Sequence, residues 1–228
     1  MPAQSDPSQM NSERYSALIV PPIGPWPRFD PPLRLGVMAS GTGSNFEALH
    51  NATACGDLNA QLCLLVVNKA GCGARQRAAH LGIRCELRDH RHFTSREALD
   101  QDLVHTFQDE GVEAIVMAGW MRIVTPVLID AFPGRLINIH PSLLPSFRGM
   151  DAIGQCLTSG AAIAGCTVHE VQKDVDTGPI LAQAAVPVLP GDDKEKLTRR
   201  IQAQEHRLLP WATALAGQRW RKAVSTQG

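Results

Sequence analysis

The residues of this chain best suited to chemistry lie in Asn138-Ile139-His140-Pro141-Ser142-Leu143-Leu144-Pro145. Two short apolar runs, 113–118 and 134–137, precede or enter this stretch and read as buried parallel strands. Side chains on a strand alternate with period two, so Asn138 and His140 share a face. An amide donor and a titratable imidazole then stand together where the strand ends, which is where open α/β sheets bind ligands. Pro141 biases His140 toward extended backbone. The pair suits a reaction in which negative charge develops on a carbonyl oxygen, with Asn138 donating a hydrogen bond and His140 a proton. In isolation the same pair reads as a satisfied core amide and a strand-end histidine, so the rest of the chain has to decide between the two.

Ser40-Gly41-Thr42-Gly43-Ser44-Asn45 follows a strand and opens a helix. Glycines allow close backbone approach, and free amides at a helix N-terminus point at an anion, so Gly43, Ser44 and Asn45 are candidate phosphate ligands. No Gly-Lys-Ser/Thr follows, and Phe46 stands where a dinucleotide fingerprint needs its third glycine. A tight turn with a helix cap is the plainer reading of the loop. Asp176 sits in the turn Asp176-Thr177-Gly178-Pro179, where an aspartate is usually turn chemistry. Folded toward His140, its carboxylate would favour the protonated ring and take up a proton directly or through water. Met121, Arg122, Ile123 and Val124 follow Gly119-Trp120 at another strand end, where exposed backbone can bond a flat heterocycle and apolar side chains can pack around it; ordinary core packing is the alternative. Glu205, in the last helix, could bond sugar hydroxyls or simply face solvent. His169, His90 and His92 lack metal-ligand spacing, so no metal is expected.

Strands and helices alternate around these motifs. Strands are expected at 33–38, 62–67, 84–87, 113–118 and 135–139, with helices at 45–55, 74–81, 95–110 (capped by Ser95 or Thr94) and a turn of helix near 127–131. This pattern predicts an α/β fold, a single Rossmann-like, mainly parallel twisted sheet with helices on both faces. Two long β-like runs, 162–171 and 180–188, predict a partly antiparallel C-terminal extension, and 194–216 a final helix, broken near Pro210. Residues 1–32 hold eight of the 16 prolines and read as a partly disordered extension or a strap lying on the surface, which Trp26 and Phe29 could anchor. Residues 33–217 form the expected catalytic domain, and 218–228 a short basic tail.

Length and composition narrow the function classes. The 228 residues are 44% hydrophobic and 19% charged, enough for a sizeable core. Formal net charge is zero, which gives no global attraction to nucleic acid or an anionic membrane. No apolar run approaches the length of a membrane span, and the N-terminus has no signal-peptide pattern. Six scattered cysteines without a C-x-x-C pair predict reduced thiols and a cytoplasmic protein.

Seven stretches, taken in chain order, resemble the phosphoribosylglycinamide formyltransferases, the folate-dependent enzymes of purine biosynthesis. They are 40–45, Ser95-Arg96-Glu97, 118–123, 134–145, 165–169, 175–179 and Gln204-Glu205-His206, spread over roughly 33–217. The run from Asn138 to Pro145 is shared with the methionyl-tRNA formyltransferases and the formyl-tetrahydrofolate hydrolases, so it marks the superfamily. The loop 40–45 marks the acceptor. The resemblance implies that His140 is the general acid, that Asn138 holds the formyl oxygen, and that Asp176 supports His140 and assists proton transfer. It implies that Gly43, Ser44 and Asn45 bind the phosphate of glycinamide ribonucleotide and Glu205 its ribose. Arg96, Met121, Arg122, Ile123, Val124 and Asn138 would line the folate site. The cosubstrate would be 10-formyltetrahydrofolate, the partners small molecules only, and the chain a monomer or homodimer. A hydrolase is expected to carry an N-terminal regulatory domain, and a tRNA formyltransferase a basic C-terminal domain; neither pattern is read here. Asp151 stands where many members carry His, and no function is assigned to it.

Overall fold

A computed structural model describes residues 17–225. The expectations for residues 1–16 and 226–228 lie outside the described residues. Eight strands form one sheet in the order β1-β8-β7-β6-β5-β2-β3-β4. They are β1 (Leu18–Val20), β2 (Leu33–Ala39), β3 (Ala60–Val67), β4 (Cys85–Leu87), β5 (Ala114–Met117), β6 (Leu136–His140), β7 (Ile163–Glu170) and β8 (Ile180–Pro187). The pairs β2–β3, β3–β4, β2–β5 and β5–β6 are parallel, while β6–β7, β7–β8 and β1–β8 are antiparallel. This is the mainly parallel sheet with an antiparallel C-terminal extension that the alternating pattern predicts.

The helices are α1 (Ser44–Ala54), α2 (Gly73–Leu81), α3 (Arg96–Asp109), α4 (Pro126–Ala131), α5 (Ala152–Ser159) and α6 (Lys194–Ser225). Alternation along the strands sorts the core into two layers. Leu35, Val37, Leu65 and Val67 join Phe46, Leu49, Ile201 and Leu208 on one face, while Met38, Leu64 and Val66 join Leu103, Phe107 and Leu128 on the other. The chain leaves β2 toward β3 in one direction and returns through β5 in the other. The loops after β2 and β5 therefore diverge, opening the crevice such a switch of strand order creates.

Of the two readings of the N-terminal stretch, residues 17–32 follow the strap, and three other elements depart from expectation. Leu18–Val20 pairs with the β8 edge, Trp26 meets Trp211 edge to face at 5.3 Å, and the Trp211 indole donates to the Pro21 carbonyl at 3.1 Å. Farther on, the Phe29 amide donates to Asn59 Oδ1 at 2.6 Å, and its ring is buried against Gly217. The final helix runs through Pro210 to Ser225. A proline within a helix costs about 3 kcal/mol, and burial of Leu208, Leu209, Trp211 and Ala212 around it outweighs that. The expected tail at 218–228 is helical as far as 225, with Trp220 buried and its indole donating to the Gly134 carbonyl at 2.7 Å. Helix α5 has no counterpart in the sequence reading; Asp151 caps it by accepting from the Gly154 amide.

If the strap belongs to the core, Phe29→Ala should lower the unfolding free energy by about 3 kcal/mol with an unchanged denaturant slope. A loss below about 1 kcal/mol in urea titration would show the strap to be merely draped.

Candidate active site

A cavity of about 1090 Å³ opens at the C-terminal ends of β2, β5 and β6. Every residue proposed from the sequence for catalysis or substrate binding lines it: Gly43, Ser44, Asn45, Arg96, Met121, Arg122, Ile123, Val124, Asn138, His140, Asp176 and Glu205. At its mouth Met121, Ile123, Val175 and Met150 expose apolar side chains, whereas Val124 is buried in the core beneath.

At the centre, His140 is buried with its two ring nitrogens facing oxygen acceptors. Nε2 lies 2.8 Å from the Phe147 carbonyl and Nδ1 lies 3.3 Å from Asp176 Oδ2. The doubly protonated ring is the form in which both N–H groups have partners. Asn138 pairs across the sheet with His169, and its side-chain nitrogen lies 3.2 Å from His169 Nε2. The other nitrogen of His169 lies 2.9 Å from the Glu170 carbonyl. These two contacts hold the His169 ring against the Asn138 side chain and orient the amide. The same Nε2 of His169 approaches Asp176 Oδ1 at 3.5 Å. The sequence reading missed His169 as a site residue; the antiparallel pairing that sets it opposite Asn138 was the available signal.

Asp176 is thus flanked by two imidazoles and accepts from the Gly149 amide at 2.8 Å. Burial pushes its carboxyl up, but the His169 ring, the Gly149 amide and His140 outweigh burial and hold it below the usual carboxylate range. Phe147, Asp151 and Asp176 have φ of 54°, 56° and 54°, and they are the non-glycine residues with left-handed backbone among the described residues. All three lie on the two loops that flank His140. Such conformations cost about 1–3 kcal/mol each and persist where surrounding contacts enforce them. Asp151 also pairs with Lys194 at 2.7 Å, at the exposed rim.

On one side of this centre, Gly43 ends the loop after β2 at φ 81° and opens α1 without a side-chain cap, so the first-turn amides of α1 lack helical partners. Asn45 donates to Glu205 Oε2 at 2.9 Å, while its own Oδ1 has no partner. Burial raises the Glu205 carboxyl above its ordinary range, and the bond from Asn45 only partly opposes this. On the other side, the 119–124 segment is tied to the 40–45 loop through Ser40, whose amide donates to the Gly119 carbonyl at 3.0 Å and whose Oγ accepts from the Met121 amide at 2.9 Å. Sequence reasoning noted Ser40 only as part of a motif. Among the described residues no group of three or more His, Cys, Asp or Glu could hold a metal ion, and no helix is long and apolar enough to cross a membrane.

The Rossmann-like sheet brings the Asn138, His140 and Asp176 side chains together between the 40–45 loop and an apolar cleft. The family model described as formyl transferase matches residues 33–213, and the chain belongs to that family. The trifunctional purine biosynthetic protein adenosine-3 of Drosophila pseudoobscura pseudoobscura is 46% identical over 187 residues, 81% of this chain. The chain spans only 14% of that protein's length. The phosphoribosylglycinamide formyltransferase of Escherichia coli (strain K12) is 37% identical over 178 residues, covering 78% of this chain and 84% of that one. The crystal structure of glycinamide ribonucleotide transformylase 1 from Symbiobacterium toebii superposes with a TM-score of 0.80 at 42% identity, over 82% of this chain and 89% of that chain.

Glu205 gives a signed prediction. Its folded-state carboxyl titrates above the unfolded one, so the stability it contributes is present at low pH and is lost as pH rises through the folded value. Glu205→Gln should therefore stabilise the free protein at pH 7 and have little effect near pH 4. A variant less stable than wild type at neutral pH would contradict the assignment.

Proposed function

We propose that this chain transfers the formyl group of 10-formyltetrahydrofolate to the amine of glycinamide ribonucleotide, the acceptor step of purine biosynthesis carried by its relatives. The observation that carries this reading is the convergence on one cavity of the anion loop, the Asn138–His140–Asp176 centre and the 119–124 segment. The cavity's residues fit the two substrates. The amides opening α1 suit a phosphate. Glu205 and the unpartnered Asn45 oxygen are acceptors for sugar hydroxyls. Backbone at 122–124 and the apolar side chains of Met121 and Ile123 suit a flat heterocycle, with Arg96 and Arg122 lining the same cavity as candidates for carboxylates.

In the proposed reaction the amine nitrogen bonds to the formyl carbon and the bond from that carbon to the folate nitrogen breaks. One proton leaves the amine and one arrives on the folate nitrogen, so protons balance. His140 donates to the oxygen as charge develops there, and Asn138 donates a hydrogen bond to the same oxygen. Asp176 stabilises the charged imidazole and relays the amine proton. In the structure His140 Nε2 faces the Phe147 carbonyl, while the Asn138 amide has a second N–H beyond the one facing His169. The formyl oxygen must replace the Phe147 carbonyl, so the loop carrying it shifts when substrate binds.

The test is formyl transfer by the purified chain, followed as tetrahydrofolate release with and without glycinamide ribonucleotide. Release that requires the ribonucleotide supports the transferase; equal release without it indicates hydrolysis and removes the acceptor assignment. His140→Asn should abolish transfer, by at least about 10²-fold, in a folded protein; unchanged turnover would refute the general acid. Asp176 stays ionised to below the ordinary carboxylate range, so the limb of the activity profile that depends on it should appear only below about pH 4. Loss of activity tracking a group near pH 6 would assign that limb to another residue.

A further inference from the structure

The anion loop is not self-supporting, and its shape comes from the first turn of α2 behind it. Three contacts join them. The Ala74 amide donates to the Gly41 carbonyl at 3.1 Å. Arg77 Nε donates to the Thr42 carbonyl at 3.0 Å. Backbone packs on backbone so closely that a Cβ on Gly43 would come within 2.5 Å of Ala74 Cα, and one on Gly73 within 2.7 Å of the Thr42 oxygen. A second guanidinium nitrogen of Arg77 pairs with Glu47 in the first turn of α1, so one side chain spans the loop and the helix it opens.

We propose that Arg77, with Gly73 and Ala74, is a positioning element that sets the affinity of the 43–45 loop for the phosphate of the ribonucleotide. This rests on the phosphate reading given above. A carbonyl and the following amide share one rigid plane, so holding the Thr42 oxygen from behind fixes the direction of the Gly43 N–H. Fixing Gly41 and Thr42 together leaves the loop one way to enter α1, with the first-turn amides turned to the cavity. Arg77 does not touch the substrate in this arrangement. Its removal would loosen the loop and leave the His140 centre and the 119–124 segment in place.

The test compares two acceptors, glycinamide ribonucleotide and the riboside that lacks the phosphate, in the full chain. Arg77→Met should raise KM for the ribonucleotide about tenfold, the scale of one lost hydrogen bond to a charged group. It should leave kcat and the KM for 10-formyltetrahydrofolate within about twofold. Turnover of the riboside should be equal in the variant and the wild type, because the contact being positioned is absent. Arg77→Lys, which can keep one bond to Thr42, should recover part of the affinity. Gly73→Ala, which pushes on the Thr42 oxygen, should act in the same direction as Arg77→Met. Arg75→Met removes the same charge from an exposed site on α2 and should change none of these values. An unchanged ribonucleotide KM in Arg77→Met, or an equal loss with both acceptors, overturns the proposal. A wild-type enzyme that fails to distinguish ribonucleotide from riboside overturns the phosphate reading itself, and that result is visible before any variant is made.

Discussion

The site depends on one buried carboxylate held between two imidazoles. Asp176 is 3.3 Å from His140 and 3.5 Å from His169, and it also accepts from the Gly149 amide. These partners come from β6, β7 and the loop before α5, so one side chain fixes three segments relative to each other. The antiparallel end of the sheet makes this possible. β7 returns alongside β6 with His169 opposite Asn138, and the turn from β7 to β8 then carries Asp176 back over His140. A carboxylate so enclosed is tolerated because each neighbour is a hydrogen-bond donor or a ring able to carry charge. The left-handed backbone at Phe147, Asp151 and Asp176 shows where the fold gives up local stability to keep these loops in place.

The two sides of the cavity are built around that centre by sheet topology. Reversal of strand order between β2 and β5 opens the crevice, and Ser40 bridges its two lips with one amide and one hydroxyl. Glu205 arrives from α6, far along the chain, and is hydrogen-bonded to α1 through Asn45. The position of α6 in turn depends on the strap at 17–32, which caps the β8 edge and packs on Trp211 and Gly217. An element remote from the cavity therefore bears on the depth at which the Glu205 carboxyl sits.

Much of this was legible in the sequence, for identifiable reasons. β2, β3, β5 and β6 are apolar runs buried on both faces, and such runs read clearly. The start of α3 was legible because Ser95 does cap it, accepting from the Ala98 amide at 3.0 Å. Asn138 and His140 were placed on one face by period alone. What sequence did not give was tertiary. Leu18–Val20 is too short and too proline-flanked to show a strand period, and it is a strand only because β8 offers a free edge. Pro210 carries a breaker signal that burial of its neighbours overrides. His169 looked like one histidine among several because its partners, Asn138 and Asp176, are brought to it by pairing and by a turn. The placement of Asp176 came from family resemblance, since spacing alone does not aim a turn.

The central claim is that Asp176 acts through His140. A double-mutant cycle in formyl transfer, with His140→Asn, Asp176→Ala and the pair, tests it most directly. The account predicts that once His140 is gone the loss of Asp176 costs little more, so the double variant is about as impaired as His140→Asn alone. Losses that multiply, each residue lowering kcat by its own full factor in the presence or absence of the other, would contradict it and make Asp176 an independent participant.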